Sequence, residues 1–253
     1  MIFIDFENFK ANIKWINQER RQNRIIDFHK INQFICEYLG GNEQFKKEKI
    51  THVRTYFYTG EYTDSILKRM RDTIENSTTE EEKTKATEYC EKTKAKKDRQ
   101  RDFFDRLYRL YFFEVRKKPL QYTKEKGIFQ KGVDVQIAVD LVTNAHLNNF
   151  DIAVIFSGDI DLLESLKTVK NLGKNVIIIS HYKNIAKDMK KEADFFIDLQ
   201  KMHDKVLDKF THKFEEKENV ISNNTITQSQ KTITPKITET ISPISKKLKN
   251  NKK

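Results

Sequence analysis

The strongest constraint on this chain is how its apolar residues are parcelled. Short runs rich in aliphatic and aromatic residues occur at 2–6, 52–58, 110–115, 152–156, 176–179 and 195–197, and several stretches between them repeat apolar residues with a helical period. A run without polar alternation reads as a strand covered on both faces, which requires helices above and below a mainly parallel sheet. The pattern therefore predicts an α/β fold, with a parallel sheet sandwiched by helices.

The best-defined helix begins near Asp134, where Val135, Ala138, Val139, Val142 and Ala145 fall on one stripe, just after Gly132 permits a tight turn. A second helix is expected over 160–171, burying Leu162, Leu166 and Val169, with Gly173 at its C-terminal cap. Residues 152–156, this helix and 176–179 make a βαβ unit, expected to be right-handed.

Residues 61–109 break the pattern. They are dense in Lys, Arg and Glu and lack both Gly and Pro, so they read as a charged helical hairpin inserted into the main domain. Either it is a solvated helical face or it is an arm that contacts RNA. From Thr211 the chain becomes rich in Ser, Thr, Asn and Gln and ends in Lys246-Lys247-Leu248-Lys249-Asn250-Asn251-Lys252-Lys253. Such a segment buries too little apolar surface to offset its ordering entropy, which predicts a main domain over 1–210 and a disordered basic tail over 211–253.

The formal charge is +11, and 211–253 holds nine lysines against four glutamates, so the excess base is shared between tail and domain. A basic surface attracts phosphate polymers through its long-range potential. Cys36 and Cys90 have no neighbour at metal-ligand spacing and are expected to be reduced thiols. The N-terminus, Met1-Ile2-Phe3-Ile4-Asp5, has no basic region of signal-peptide type, and no run reaches the ~20 apolar residues of a membrane span. A cytoplasmic protein without a membrane partner is expected.

Carboxylates sit where apolar runs end, and in an open α/β sheet that end is where ligands bind. Asp5 closes the first run, with Asn8 three residues on, and either of them could instead cap a helix. Lys131-Gly132-Val133-Asp134 opens the amphipathic helix, where capping again competes with chemistry, and Asp140, deeper in it, could pair with a base or with a group supporting the site. Ser157-Gly158-Asp159-Ile160-Asp161 follows a fully apolar run, and the Gly lets the backbone turn sharply. One Asp would suffice as a cap. A second so close adds repulsion, which a hard divalent cation offsets by taking carboxylate oxygens. With a metal bound, such a site activates water and stabilises charge on a phosphate during in-line attack.

Other chemistries are poorly served. The six histidines are scattered without a triad or HExxH spacing, and with seven glycines there is neither a phosphate-binding P-loop nor a dinucleotide fingerprint. A phosphatase of the haloacid type wants Asp-x-Asp after its first strand, whereas Asp5 is followed by Glu7.

Ile4-Asp5-Phe6-Glu7-Asn8, Lys131-Gly132-Val133-Asp134 with Asp140, Ser157-Gly158-Asp159-Ile160-Asp161 and Leu172-Gly173-Lys174-Asn175-Val176 stand in the order seen in NYN domains. The chain resembles that family, part of the PIN-like nuclease superfamily, over about 1–199 apart from the charged insertion. The resemblance implies a Rossmann-like, three-layer α/β/α domain, Mg²⁺ or Mn²⁺ at an acidic centre, and hydrolysis of RNA phosphodiesters. By motif, Asp5, Asp134, Asp159 and Asp161 become metal ligands or orienters of the attacking water. Asn8 and Ser157 would position the scissile phosphate or a water, and Lys131 would contact substrate. Phe6 stands where the family often has Gly, and Ile160 and Leu162 replace the more usual Ser and Phe. The expected function is a divalent-metal-dependent endoribonuclease acting on RNA or another single-stranded nucleic acid, with homodimer formation left open. The alternative is an RNA-binding or regulatory protein that keeps the fold and cleaves little.

Overall fold

Uninterrupted apolar runs become the centre of a sheet because their side chains can be buried on both faces. The computed structural model describes residues 1–45 and 49–214. In chain order its elements are β1 (Ile2–Asp5), α1 (Phe6–Arg20), β2 (Arg24–Ile26), α2 (Phe28–Gly40), β3 (Thr55–Glu61), α3 (Asp64–Glu75), α4 (Glu80–Leu107), β4 (Phe113–Pro119), β5 (Gln121–Thr123) and β6 (Gly127–Phe129). They continue with α5 (Val133–His146), β7 (Ile152–Phe156), α6 (Leu163–Asn171), β8 (Asn175–Ser180), α7 (Lys187–Glu192), β9 (Phe195–Asp198), α8 (Asp204–Leu207) and β10 (Thr211–Lys213). A six-stranded sheet runs in the order β4-β3-β1-β7-β8-β9, and every pairing in it is parallel.

Alternation along these strands assigns two cores. Ile2, Ile4, Phe57, Val154, Phe156 and Ile177 share one with Phe9, Ile13 and Ile16 of α1, with α2, and with Phe104 and Leu107 at the end of α4. Phe3, Tyr56, Tyr58, Ile155 and Ile178 share the other with Val133, Ile137 and Leu141 of α5 and with Leu166 and Val169 of α6. Each fully buried large side chain contributes roughly 1.5–3 kcal/mol relative to exposure, so three layers follow from the sequence pattern. No helix among the described residues is long and apolar enough to cross a membrane. Both cysteines are free thiols.

Several expectations are corrected. The buried stripe of α5 is Val133, Ile137, Leu141 and Ala145; Val135 and Val139 are exposed, because the face bearing Ile137 and Leu141 brings larger side chains to the sheet. The strand expected over 110–115 starts at Phe113, since α4 continues to Leu107 and Phe112 adopts a left-handed turn conformation. It then runs through Arg116, Lys117 and Lys118 to Pro119, residues tolerated at a sheet edge that discourage further pairing. The helix expected over 160–171 begins with a 3-10 turn over Ile160–Leu162. Thr211 does not begin the tail: Thr211–Lys213 pairs antiparallel with β2. The remainder of the expected tail, 215–253, lies outside the described residues.

The charged stretch 61–109 forms α3 and α4, which lie within the crossover from β3 to its parallel neighbour β4. It carries a small core of its own, in which Ile66, Leu67, Met70 and Cys90 pack against Leu120, Tyr122 and Ile128.

Candidate active site

Parallel strands β1 and β7 are neighbours and both deliver their carboxyl ends to the same edge of the sheet. Asp5 closes β1 and caps α1, its Oδ1 accepting from the Asn8 amide at 3.2 Å. Its Oδ2 accepts from Asn8 Nδ2 at 2.9 Å and from the Ser157 hydroxyl at 3.3 Å. Capping and site-building are thus one arrangement: the cap fixes the carboxylate that faces the neighbouring strand end. Asp5 is almost wholly buried, and that burial pushes its carboxyl up to about 6; Asp134 adds to the rise, while the bonds from Asn8 and Ser157 oppose it.

Asp134 lies in the first turn of α5, after Gly132 in the left-handed conformation. Its carboxyl is also raised, first by burial, then by Asp159 and Asp161, while a bond from its own backbone amide opposes the rise. Asp159 caps the 3-10 turn, accepting from the Asp161 amide at 3.1 Å. Three chain segments therefore place four carboxylates in one field, with Asp134 in contact electrostatically with the other three. Among the described residues none of the four forms a salt bridge with Lys, Arg or His, whereas Asp140, further along α5, has Arg116 at 3.6 Å. Nor, as placed, do any three His, Cys, Asp or Glu side chains among the described residues converge enough to enclose an ion. Asp161 is exposed and Asp159 half-buried, so both can still turn.

Asp140 is outside this group. It accepts from the Tyr58 hydroxyl at 3.0 Å and lies 3.6 Å from Arg116, the base that its position in α5 anticipates. Burial, then Asp140 itself, pushes the Tyr58 phenol upward.

Ser157 is fully buried, donates to Asp5 and accepts from the Asp159 amide at 3.2 Å, so it ties the two strand ends together. Asn8 plays a similar part: its Oδ1 accepts from the Gly158 amide at 3.3 Å and from Asn184 Nδ2 at 3.1 Å. Lys131 lines a separate cavity, whose lining includes none of the four aspartates. The glycine of Leu172-Gly173-Lys174 terminates α6 at the opposite edge of the sheet, a backbone role.

The loop after β8 was not evident from motifs. Asn184 Nδ2 donates to the Asn8 carbonyl (3.3 Å), Asn8 Oδ1 (3.1 Å) and Asn12 Oδ1 (2.8 Å). Buried His181 holds this loop, its Nδ1 accepting from the Lys183 amide at 3.2 Å and its Nε2 bonding Glu19 at 3.0 Å. A strand-end search extended to amides as well as carboxylates would have reached Asn184, since β8 ends four residues before it.

The NYN domain family model matches residues 1–200. The chain belongs to the NYN domain family. Its acidic group thus sits on a domain of PIN-like nuclease type, and the parallel three-layer sheet is consistent with it. The crystal structure of a protein of unknown function, VPA0982, from Vibrio parahaemolyticus is similar to this NYN domain at 17% identity and a TM-score of 0.48, covering 83% of this chain and 94% of the other. No curated protein matches the sequence.

Proposed function

We propose that this NYN domain is a divalent-metal-dependent endoribonuclease with Asp5, Asp134, Asp159 and Asp161 as its acidic centre and Mg²⁺ or Mn²⁺ as cofactor. The observation that supports it is that Asp134, from α5, lies within electrostatic reach of Asp5 at the end of β1 and of Asp159 and Asp161 after β7, with Asp5 and Asp134 both pushed upward. Burying Asp5 beside Asp134 disfavours the charged form of both, which stability alone does not require. Hard oxygen donors without a basic partner fit a hard cation. Asp5, Asp134, Asp159 and Asp161 would hold it, and the chemistry a bound ion supplies is polarisation of the phosphate and a more acidic water. Asn8 and Ser157 fix the Asp5 carboxylate. Asp159 and Asp161, at the solvent side, orient the attacking water and accept its proton.

Cleavage of labelled RNA in Mn²⁺ is expected, and Asp159→Asn should reduce it at least about a hundredfold. Equal cleavage by that variant would sink the assignment. Asn184→Ala releases Asn8, so cleavage should fall about tenfold for a stability loss of about 1 kcal/mol. An unchanged rate would show that the clamp is structural only.

A second reading has one observation in its favour, the lack of a tight three-ligand group among the described residues. It makes the domain an RNA-binding or regulatory protein with little turnover. RNA binding that persists in EDTA, with no product after hours in Mn²⁺, would decide for it.

A further inference from the structure

Register places a second group of residues at the same edge of the sheet as the aspartates. Asp5 pairs with Tyr58, and β3 then continues past β1, pairing Gly60 with Lys118 and Glu61 with Pro119 of β4. Beyond those strand ends lies a cavity of about 590 Å³, lined by Thr63, Ser65 and Arg69 around the start of α3, by Lys118 and Gln121, and by Lys131 just before α5.

Three cations line this one space, and none of them has a carboxylate partner among the described residues. Two acids on the adjoining strand end and helix start are already taken: Glu61 by Lys117 at 2.7 Å and Asp64 by Lys97. Like charges around a concavity repel one another and focus a positive potential into it. The first turn of the 12-residue helix α3 adds to that potential, because Thr63 makes no side-chain capping bond to its amides. The cavity is therefore polar, positive and concave, and Lys131 links it to the acidic group through the turn leading to Asp134.

An RNA strand approaching four carboxylates is repelled unless cations hold its flanking phosphates. We infer that this cavity is a phosphate subsite, in which Arg69, Lys118 and Lys131 grip a backbone phosphate of the RNA strand next to the one over the aspartates. The inference rests on the nuclease reading and deepens it, assigning the start of α3 in the charged crossover a part in binding that its composition leaves open.

The test measures binding of a short labelled oligouridylate to the full chain in EDTA, across a range of salt concentrations. Removing two of the three cations that neutralise this phosphate should weaken binding about tenfold near physiological salt and flatten the log–log salt dependence by roughly 0.7. That is the result expected for the double variant Arg69→Gln/Lys118→Gln. A charge-matched control, Lys85→Gln/Lys92→Gln, removes two exposed lysines of α4 that pair with Glu81 and Glu88, and should bind as the unaltered protein does. An unchanged slope in the first variant, an equal loss in the control, or no binding by the unaltered protein would overturn the subsite. Because binding is read without metal, the two proposals separate. Cavity-dependent binding without cleavage in Mn²⁺ leaves the subsite and removes the nuclease; cleavage with cavity-independent binding does the reverse.

Discussion

Asp5→Asn is expected to make the metal-free protein more stable at pH 8 while abolishing cleavage. The carboxyl of Asp5 is pushed up to about 6 from an ordinary 3.8, chiefly by burial. A folded-state value above the unfolded one means that the fold holds the proton more tightly than the unfolded chain does. The stability contributed by this group is therefore fully present below about pH 4, falls as pH rises towards 6, and stays lost above that. A rise of that size corresponds to about 3 kcal/mol. Asparagine removes the charge and keeps the cap, since its carbonyl can accept from the Asn8 amide as Asp5 Oδ1 does. Its NH₂ would face Asn8 Nδ2 where an acceptor stood, forfeiting a bond worth about 1 kcal/mol, while the Ser157 hydroxyl must turn to accept from it. The net gain at pH 8 should be about 1–2 kcal/mol. Denaturant titrations in EDTA between pH 4 and 8 read it directly: the wild-type midpoint should drop across that interval more than that of the variant. Added Mn²⁺ should raise the wild-type midpoint and leave the variant where it was. A variant less stable than wild type at pH 8 would show that the Asp5 carboxylate is satisfied by its hydrogen bonds rather than held for chemistry.

Which features were legible in the sequence follows from where each residue's environment is decided. Strands β1, β7 and β8 are buried on both faces, so composition alone reveals them. β4 lies at the edge, where solvent accommodates Arg116, Lys117 and Lys118, and counting apolar residues places it too early. In α5 two candidate stripes compete, and only the shape of the sheet face beneath chooses Ile137 and Leu141 over Val135 and Val139. Asp5, Asp134, Asp159 and Asp161 could be picked out because a charge at the end of an apolar run needs a reason within a few residues. Roles that depend on distant chain were less legible or missed. The family resemblance implies that Ser157 positions the scissile phosphate or a water, and its side chain is sealed between β1 and β7. Asn12 and Asn184 are separated by most of the domain and meet only because α1 and the loop after β8 share one edge of the sheet.

Gly158→Ala should be among the most damaging single-methyl changes in the domain, for a reason different from the turn that its sequence context suggests. The constraint is a close approach. A Cβ there would lie 2.0 Å from the carbonyl oxygen of Asn184 and 2.6 Å from the Cα of Ile185, both backbone atoms that no rotamer change can move. The loop must retreat, which breaks the 3.0 Å bond from the Ala186 amide to the Gly158 carbonyl and draws Asn184 away from Asn8 and Asn12. Overpacking of this kind costs about 1–3 kcal/mol or more, which lowers Tm by roughly 2–12 °C in a domain of this size. Gly173→Ala supplies the comparison. Gly173 has φ +77° with open space around it, so an added methyl meets backbone strain alone and should cost about 1 kcal/mol. The functional contrast should be sharper than the thermal one. Gly173 sits at the far edge of the sheet, whereas displacement of Asn184 releases Asn8 and, through it, the carboxylate of Asp5. Cleavage by Gly158→Ala should therefore fall by about a hundredfold at temperatures where the variant is still folded by circular dichroism. Near-normal activity in a folded Gly158→Ala protein would mean that the loop after β8 does not set the geometry of the acidic centre.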